Sequence, residues 1–471
     1  MLRKSLILIS STLTFVLLTA VSHAQLSNNP FPAPIEAEEG IITINAIEFA
    51  RLPEIDGVPA RMMQLVDEPG TGRLFVNDMT GPIYSVSYDG RTVIEYINID
   101  DWGVNVWAND FREGGMQSFA FHPQFAASGT PGYGKFYTWT DSSNRRPMPD
   151  FMPSGALDDH DLVLHEWSAI NSLNTTYDGG MPREVLRIQQ PYRNHNGGQI
   201  GFNSLVSQGD ADFGLLYISN GDGGSGGDPL GMAQNLSSIF GKLLRIDPMG
   251  NNSLNGEYGI PSSNPFANDG DENTLGEIYA YGIRNAQHFV WDSANGNMFI
   301  ADIGQNIVEK ISLMSMGANL GWNTWEASYR FSDGVVNIDQ PRSVTDITYP
   351  IVEWDHNDPT LQARSAASGL AVYRGDDISQ LQGKLLFADL LSGEIFYVDA
   401  DNLPNGGQDP IRRVLLDNST GAKTVLQLIQ ENNRQQNREI APRADTRIDE
   451  GPNKQLYILN KGDSIIRKLT P

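Results

Sequence analysis

The sequence predicts an all-β protein, a six-bladed β-propeller of four-stranded antiparallel blades. Three observations carry that prediction. Glycine and proline, 47 and 26 of 471 residues, are spread through the whole chain and cut it into strand-length pieces. Long amphipathic helical patterns are absent. A weak repeat emerges when the apolar runs are aligned: a turn, a short apolar run, and an aspartate at or just past its end.

The repeat occurs at 73–78, 135–141, 216–222, 298–302, 385–389 and 456–463. A short strand-like run precedes each copy, at 62–66, 119–122, 199–203, 289–292, 369–373 and 446–449. A third follows each, at 83–88, 161–167, 242–246, 309–314, 394–398 and 465–469. Radial stacking of such units buries both faces of every sheet and protects the edges. A large β-sandwich is the alternative, but it does not account for six similar units. The β-branched run 41–47 reads as a further strand that pairs with the last unit and closes the ring. The strand-end aspartates read as turn residues, except in the third unit.

At the N-terminus, Arg3 and Lys4 precede an apolar run over 6–21 and the small-residue site Ser22-His23-Ala24. This pattern predicts a signal peptide cleaved after Ala24 and a periplasmic or secreted protein. The run is short and interrupted by Ser and Thr, so no membrane span is expected after cleavage. Residues 25–40 read as a flexible leader, and 41–471 as the propeller domain. The chain has no cysteine, which excludes disulfides, thiolate metal sites and c-type haem attachment. Its formal charge is −24, and cleavage removes two further cations and no acid. Such a charge repels nucleic acid and anionic membranes.

The chemistry-bearing stretch runs from 193 to 248. His195 stands in a Gly/Asn-rich turn, and Asp222 opens a second Gly-rich turn after the strand-like run 215–219. A histidine and an acid on neighbouring strand-end loops are the parts of an oriented general base. Arg284-Asn285 end another strand, and an arginine there suits a carboxylate ligand. Gly304-Gln305 form a turn whose carbonyls suit a hard cation such as Ca²⁺. The acids of 222–228 are a candidate second Ca²⁺ site. The remaining histidines show no metal-like spacing, and His122 reads as structural. His356 lies on a long segment, 349–368, that is a candidate roof over the substrate channel.

Taken in order, these motifs resemble the glucose/sorbosone dehydrogenase family. They are His-x-Gly-Gly at 195, Gly-Asp-x-Gly at 221, Gly-Lys-x-x-Arg-Ile-Asp at 241, Tyr-Gly-x-Arg-Asn at 281, Gly-Gln at 304 with Glu309-x-Ile311, and Gly321-Trp322. The similarity covers roughly 60–469. It implies a soluble quinoprotein that uses pyrroloquinoline quinone (PQQ) and Ca²⁺ on a six-bladed propeller. It implies that His195 is the catalytic base and Asp222 the acid that orients it. It also implies that Arg284, Asn285 and Arg443 bind the quinone, and that Gly304 and Gln305 hold Ca²⁺ through backbone carbonyls. The implied reaction is PQQ-dependent oxidation of an aldose or related sugar alcohol. Electrons would pass to an external acceptor, a quinone or a separate redox protein. Leu391 and Asp445 stand where the best-known bacterial glucose dehydrogenases carry a lysine and a second arginine, and Glu113 falls near a glutamine of theirs. A Ca²⁺-dependent sugar lactonase and a non-enzymatic binding propeller are the alternative functions.

Overall fold

The computed structural model describes residues 29–107, 113–155, 159–361 and 365–471. The expected signal peptide lies outside the described residues. Among the described residues, no helix is long and apolar enough to cross a membrane.

The chain is all-β and propeller-like. Of the 28 strands among the described residues, 24 fall into six groups of four, each antiparallel throughout. The first unit is Met62–Glu68, Arg73–Asp78, Pro82–Ser87 and Val93–Asn98. The second is Met116–Phe121, Lys135–Ser142, Asp161–Ser168 and Arg183–Gln189. The third is Ile200–Phe202, Leu216–Asn220, Lys242–Ile246 and Ile278–Tyr281. The fourth is Ala286–Trp291, Met298–Asp302, Val308–Met314 and Val352–Asp355. The fifth is Ala367–Tyr373, Lys384–Asp389, Ile395–Asp399 and Arg412–Asp417. The sixth takes Arg447–Glu450, Leu456–Leu459 and Ile465–Thr470 from the C-terminus and Ile42–Arg51 from the N-terminus.

Packing follows from the sequence of the second strands. Leu216–Asn220 and Met298–Asp302 are buried at every residue, as strands covered on both faces require. An apolar cluster fills each space between neighbours. Phe75, Tyr96, Phe121 and Trp167 join units one and two. Trp139, Leu164, Ile218 and Leu244 join two and three. Further clusters join three to four, four to five, five to six, and six back to one. The first strands of the units surround a central space of about 770 Å³ that opens at one end of the axis.

The N-terminal strand does more than complete the last unit. Ile42–Arg51 pairs antiparallel with Ile465–Thr470 and parallel with Arg412–Asp417, fusing units five and six into a nine-stranded sheet. Of residues 25–40, expected as a flexible leader, the described part, 29–40, is held down. Ile35 is buried and its N–H donates to Asp358 at 2.7 Å, and Phe31 packs edge-on against Tyr329. The segment 349–368 is not a plain loop: Val352–Asp355 is the outer strand of unit four. Two elements have no counterpart in the repeat. A three-stranded sheet, Trp325–Glu326, Tyr329–Ser332 and Val335–Asn337, is inserted into unit four. One α-helix, Val425–Gln435, starts with a capping box between Thr424 and Gln427, a signature present in the sequence.

Lys242, in the Gly-Lys pair, is a structural cation at the start of a strand. Its Nζ donates to the carbonyls of Met232 (2.9 Å), Ala233 (3.0 Å) and Phe240 (2.6 Å) inside the protein. These bonds pin the long connection after the second strand of unit three. Lys242→Met takes a donor from all three carbonyls; Met232 keeps the Asn235 N–H and Ala233 the Gly282 N–H, both at 3.1 Å, but Phe240 has no such second donor among the described residues. The substitution should cost on the order of 3 kcal/mol of stability, read as a lower denaturant midpoint at unchanged slope.

Candidate active site

The loops at the other end of the axis enclose a cavity of about 290 Å³, lined by His195, Arg284, Asn285, Gly304, Gln305, Arg443 and their neighbours. His195 sits at φ 58°, a left-handed conformation uncommon for residues other than glycine. Contacts from two other loops hold it there. The Glu113 carboxylate accepts its backbone N–H at 2.7 Å. Gly221 lies so close below that a Cβ would come within 2.8 Å of the His195 carbonyl oxygen. Only glycine lets the two turns approach this way.

The His195 ring is oriented by an acid. Its Nδ1 lies 2.6 Å from Asp222 Oδ1, and both side chains are buried. Asp222 Oδ2 accepts the Trp322 indole N–H at 2.7 Å, and Oδ1 also takes the Gly224 N–H at 2.9 Å. A carboxylate only accepts here, so Nδ1 carries the ring hydrogen and Nε2 is the basic nitrogen. Burial pushes the Asp222 carboxyl up. The His195 ring beside it and the Arg284 charge outweigh burial and hold it below the usual carboxylate range.

Opposite lies a turn built around an anion. Glu326 Oε1 accepts four successive N–H groups: Gln305 (2.9 Å), Asn306 (3.1 Å), Ile307 (3.0 Å) and Val308 (3.0 Å). Gly304 N–H donates to Glu309 at 3.2 Å. A side chain at Gly304 would strike the Val308 carbonyl at 1.9 Å. Arg284 Nε donates to Gln305 Oε1 at 3.0 Å and its Nη1 to the Ile303 carbonyl at 3.2 Å. No donor among the described residues reaches the Gly304 and Gln305 carbonyls, and both residues line the cavity. A pair of free carbonyls lining one cavity is a fitting donor set for a hard cation. Among the described residues, no three His, Cys, Asp or Glu side chains gather as a metal cluster.

The third wall is cationic. Arg443, Arg447 and Lys461 line it. Arg443 Nε bonds both Asp445 oxygens at 2.9 Å, and Arg447 donates to Gln287 at 3.0 Å. Burial pushes the Arg447 guanidinium down to about 10, against the opposing pull of Asp445 and Asp449. Burial also drives the Lys461 ammonium far down. Asp445 opposes this, while Arg447, Arg61 and Arg443 add to it. Several cations crowd one aspartate, so this wall favours an anionic ligand. A planar polycarboxylate such as PQQ fits its charge.

Comparison with known proteins places the chain. The model for "Glucose / Sorbosone dehydrogenase" matches residues 58–462. The chain belongs to that family. It is 29% identical to the HIPL2 protein of Arabidopsis thaliana over 367 residues, 71% of this chain and 51% of that protein. The chain thus spans about half the length of the curated plant relatives it matches. Its fold matches the soluble aldose sugar dehydrogenase of Escherichia coli, with TM-score 0.59 and 19% identity, covering 91% of this chain and 99% of that one. It also matches the PQQ-bound aldose sugar dehydrogenase of Streptomyces coelicolor, with TM-score 0.56 and 18% identity, covering 90% and 96%.

In this glucose/sorbosone dehydrogenase family member, the seven residues singled out from sequence surround the cavity. Six line it, and the seventh, Asp222, lies behind His195. Arg443 is the most compromised of them, since its charge is shared with Asp445. Residues to which the sequence alone gave no role complete the site. Trp322 braces Asp222, Glu326 gathers the metal-candidate turn, and Arg447 and Lys461 supply cations. Their types gave no warning, because each acts across a long sequence separation. His356 lies in the cavity wall at the end of a strand, its Nδ1 2.8 Å from Glu309. The expected second Ca²⁺ turn spends its acids elsewhere: Asp228 accepts the N–H groups of Met232 and Ala233, both at 2.9 Å.

The strand-end aspartates are also more than turn residues. Asp141 accepts from Gly115 (3.1 Å), Gln117 (2.7 Å) and Asn196 (3.1 Å), and so sets two cavity side chains. Asp302 accepts the Asn285 N–H at 2.7 Å, and Asp389 the Ala366 N–H at 2.8 Å.

The depressed Asp222 pKa has a consequence for stability. A carboxyl that is more acidic in the folded state stabilises above its unfolded pKa, about 4, and that contribution is lost as pH falls through the folded value. The stability gap between wild type and Asp222→Asn should therefore be widest above about pH 4. It should narrow below that pH in urea titrations run at stepwise lower pH.

Proposed function

We propose that this protein is a PQQ- and Ca²⁺-dependent dehydrogenase that oxidises an aldose or related sugar alcohol. The six four-strand units would form a closed six-bladed propeller, a single domain from residue 41 onward. The N-terminal leader fits export to the periplasm or the medium. The observation that carries this reading is the buried His195–Asp222 pair facing both a cationic wall and a carbonyl turn across one cavity.

The residues divide the work. Arg284, Asn285 and Arg443 would hold the quinone, with help from Arg447 and Lys461, and Gly304 and Gln305 would hold Ca²⁺ through their carbonyls. When bound, PQQ supplies the hydride acceptor, and Ca²⁺ polarises its reactive carbonyl. His195 Nε2 would take the proton from the substrate hydroxyl oxygen as hydride leaves the carbon that bears it. Asp222 fixes the tautomer that exposes Nε2 and stabilises the imidazolium that forms. Trp322 holds Asp222 from the other side, so the ring cannot turn away. The electrons then leave to an external acceptor.

Two variants test this reading on purified protein reconstituted with PQQ and Ca²⁺. His195→Ala should lose on the order of 10² to 10⁴ in turnover while binding quinone and Ca²⁺ as wild type does. Steady-state dye reduction at equal quinone occupancy measures it across a sugar panel. Near-normal turnover in His195→Ala would remove the proposed base and favour a binding propeller. Gln305→Ala should keep most of the Ca²⁺ affinity, because the ligand there is a main-chain oxygen. A loss of Ca²⁺ binding in calorimetry would show that the side chain is the ligand.

A further inference from the structure

We propose that Glu326 is the buried counter-charge of the Gly304–Gln305 turn and sets its affinity for a divalent cation. This rests on the reading of that turn as the Ca²⁺ site, and it assigns a positioning residue that binds nothing itself.

The geometry begins with the peptide unit. In a trans peptide the N–H and C=O point in opposite directions. The N–H of Gln305 shares its peptide with the Gly304 carbonyl, and that of Asn306 shares its peptide with the Gln305 carbonyl. Both N–H groups donate to Glu326 Oε1, at 2.9 and 3.1 Å. Both carbonyls must therefore point away from Glu326. The carboxylate thus orients the oxygens that would meet a metal, and it aligns two peptide dipoles with their negative ends outward.

The charge balance is the second observation. Glu326 is fully buried, with 0% exposure, and its Oε2 has no hydrogen-bond partner. Other ionisable groups around the turn are paired elsewhere. Glu309 lies 2.8 Å from His356, Lys310 lies 3.0 Å from Asp302, and Arg284 bonds the side chain of Gln305. Among the described residues, no lysine or arginine pairs with Glu326; burial pushes the His356 imidazole down, but Glu309, with a smaller share from Glu326, raises it overall, and its hydrogen bond goes to Glu309. A buried carboxylate without a cation is costly, and N–H dipoles on one oxygen offset only part of that cost. A divalent cation on the carbonyls, across the same two peptides, supplies the missing charge. The arrangement would give a neutral ligand set the affinity of an acidic one.

The test separates charge from shape. Glu326→Gln keeps an oxygen for the four N–H groups and removes the charge. Ca²⁺ and Tb³⁺ binding to quinone-free protein are measured by calorimetry and Tb³⁺ luminescence. Glu326→Gln should weaken Ca²⁺ on the order of 10- to 100-fold. It should weaken Tb³⁺ by a larger factor, because the Coulomb energy scales with ion charge. In chelator it should melt no lower than wild type, since it has lost an unpaired buried charge. Equal Ca²⁺ affinity, or equal losses for the two ions, would overturn the proposal. Should Glu326→Gln not fold, Glu326→Asp takes its place. It keeps the charge, so its Tb³⁺-to-Ca²⁺ affinity ratio should match wild type, and a changed ratio counts against the proposal. Wild type that binds neither ion would sink the metal reading itself. Wild type that binds while Glu326→Gln binds as well would sink only the role of Glu326.

Discussion

Buried carboxylates at the ends of buried strands hold this molecule's cavity in shape. Loops that leave a sheet lose their ladder partners, and their N–H groups still need acceptors. A buried aspartate has the complementary need. Asp141, Asp302 and Asp389 each satisfy both needs by taking backbone N–H groups from a neighbouring loop. Asp222 stands just past the corresponding strand of unit three and, besides the Gly224 N–H of its own loop, binds an imidazole and an indole. A structural device repeated around the axis thus becomes a chemical one where its partners are side chains.

The cavity separates charge by wall. Cations crowd around Asp445 on one side, and on the other a carboxylate lies behind a turn of outward carbonyls. Both arrangements are costly in an empty low-dielectric space, and each is relieved by a ligand of opposite sign. The two walls therefore prefer to be filled together, by a polyanion and a cation that also bind one another. The chain's overall acidity gives no hint of the cationic wall, because Arg443, Arg447 and Lys461 are three positions among many.

Much of the fold was legible in the sequence because each unit buries both faces of its inner strands. That forces short apolar runs ended by turns, and the second strands of the first five units fell within two residues of their predicted bounds, while the sixth, Leu456–Leu459, stops four residues short. The outer strands were not legible. Val93–Asn98 is partly exposed, so its pattern is mixed; the exception is Ile42–Arg51, whose β-branched start gave away both the strand and its place in the last unit. His195 and Asp222 could be found because glycine-rich turns marked both. Trp322 lies 100 residues from Asp222, and Glu113 lies 82 from His195. No local pattern records such pairings. The helix after Thr424 was missed although its capping signature was present, because the surrounding repeat argued for strands.

The shared sixth unit has a consequence for how the ring assembles. Its outer strand comes from the beginning of the chain and its other three from the end. The side chain of Asn45 bonds the carbonyl of Pro471, 426 residues away in sequence. Five units can form in order as the polypeptide lengthens, but the last apolar faces stay wet until both ends meet. Closing so long a loop carries a large entropic cost before any contact repays it, and folds of this topology form slowly. Until that moment the open sheet edges are sticky surfaces. A chain of this design depends on escaping its neighbours during that interval.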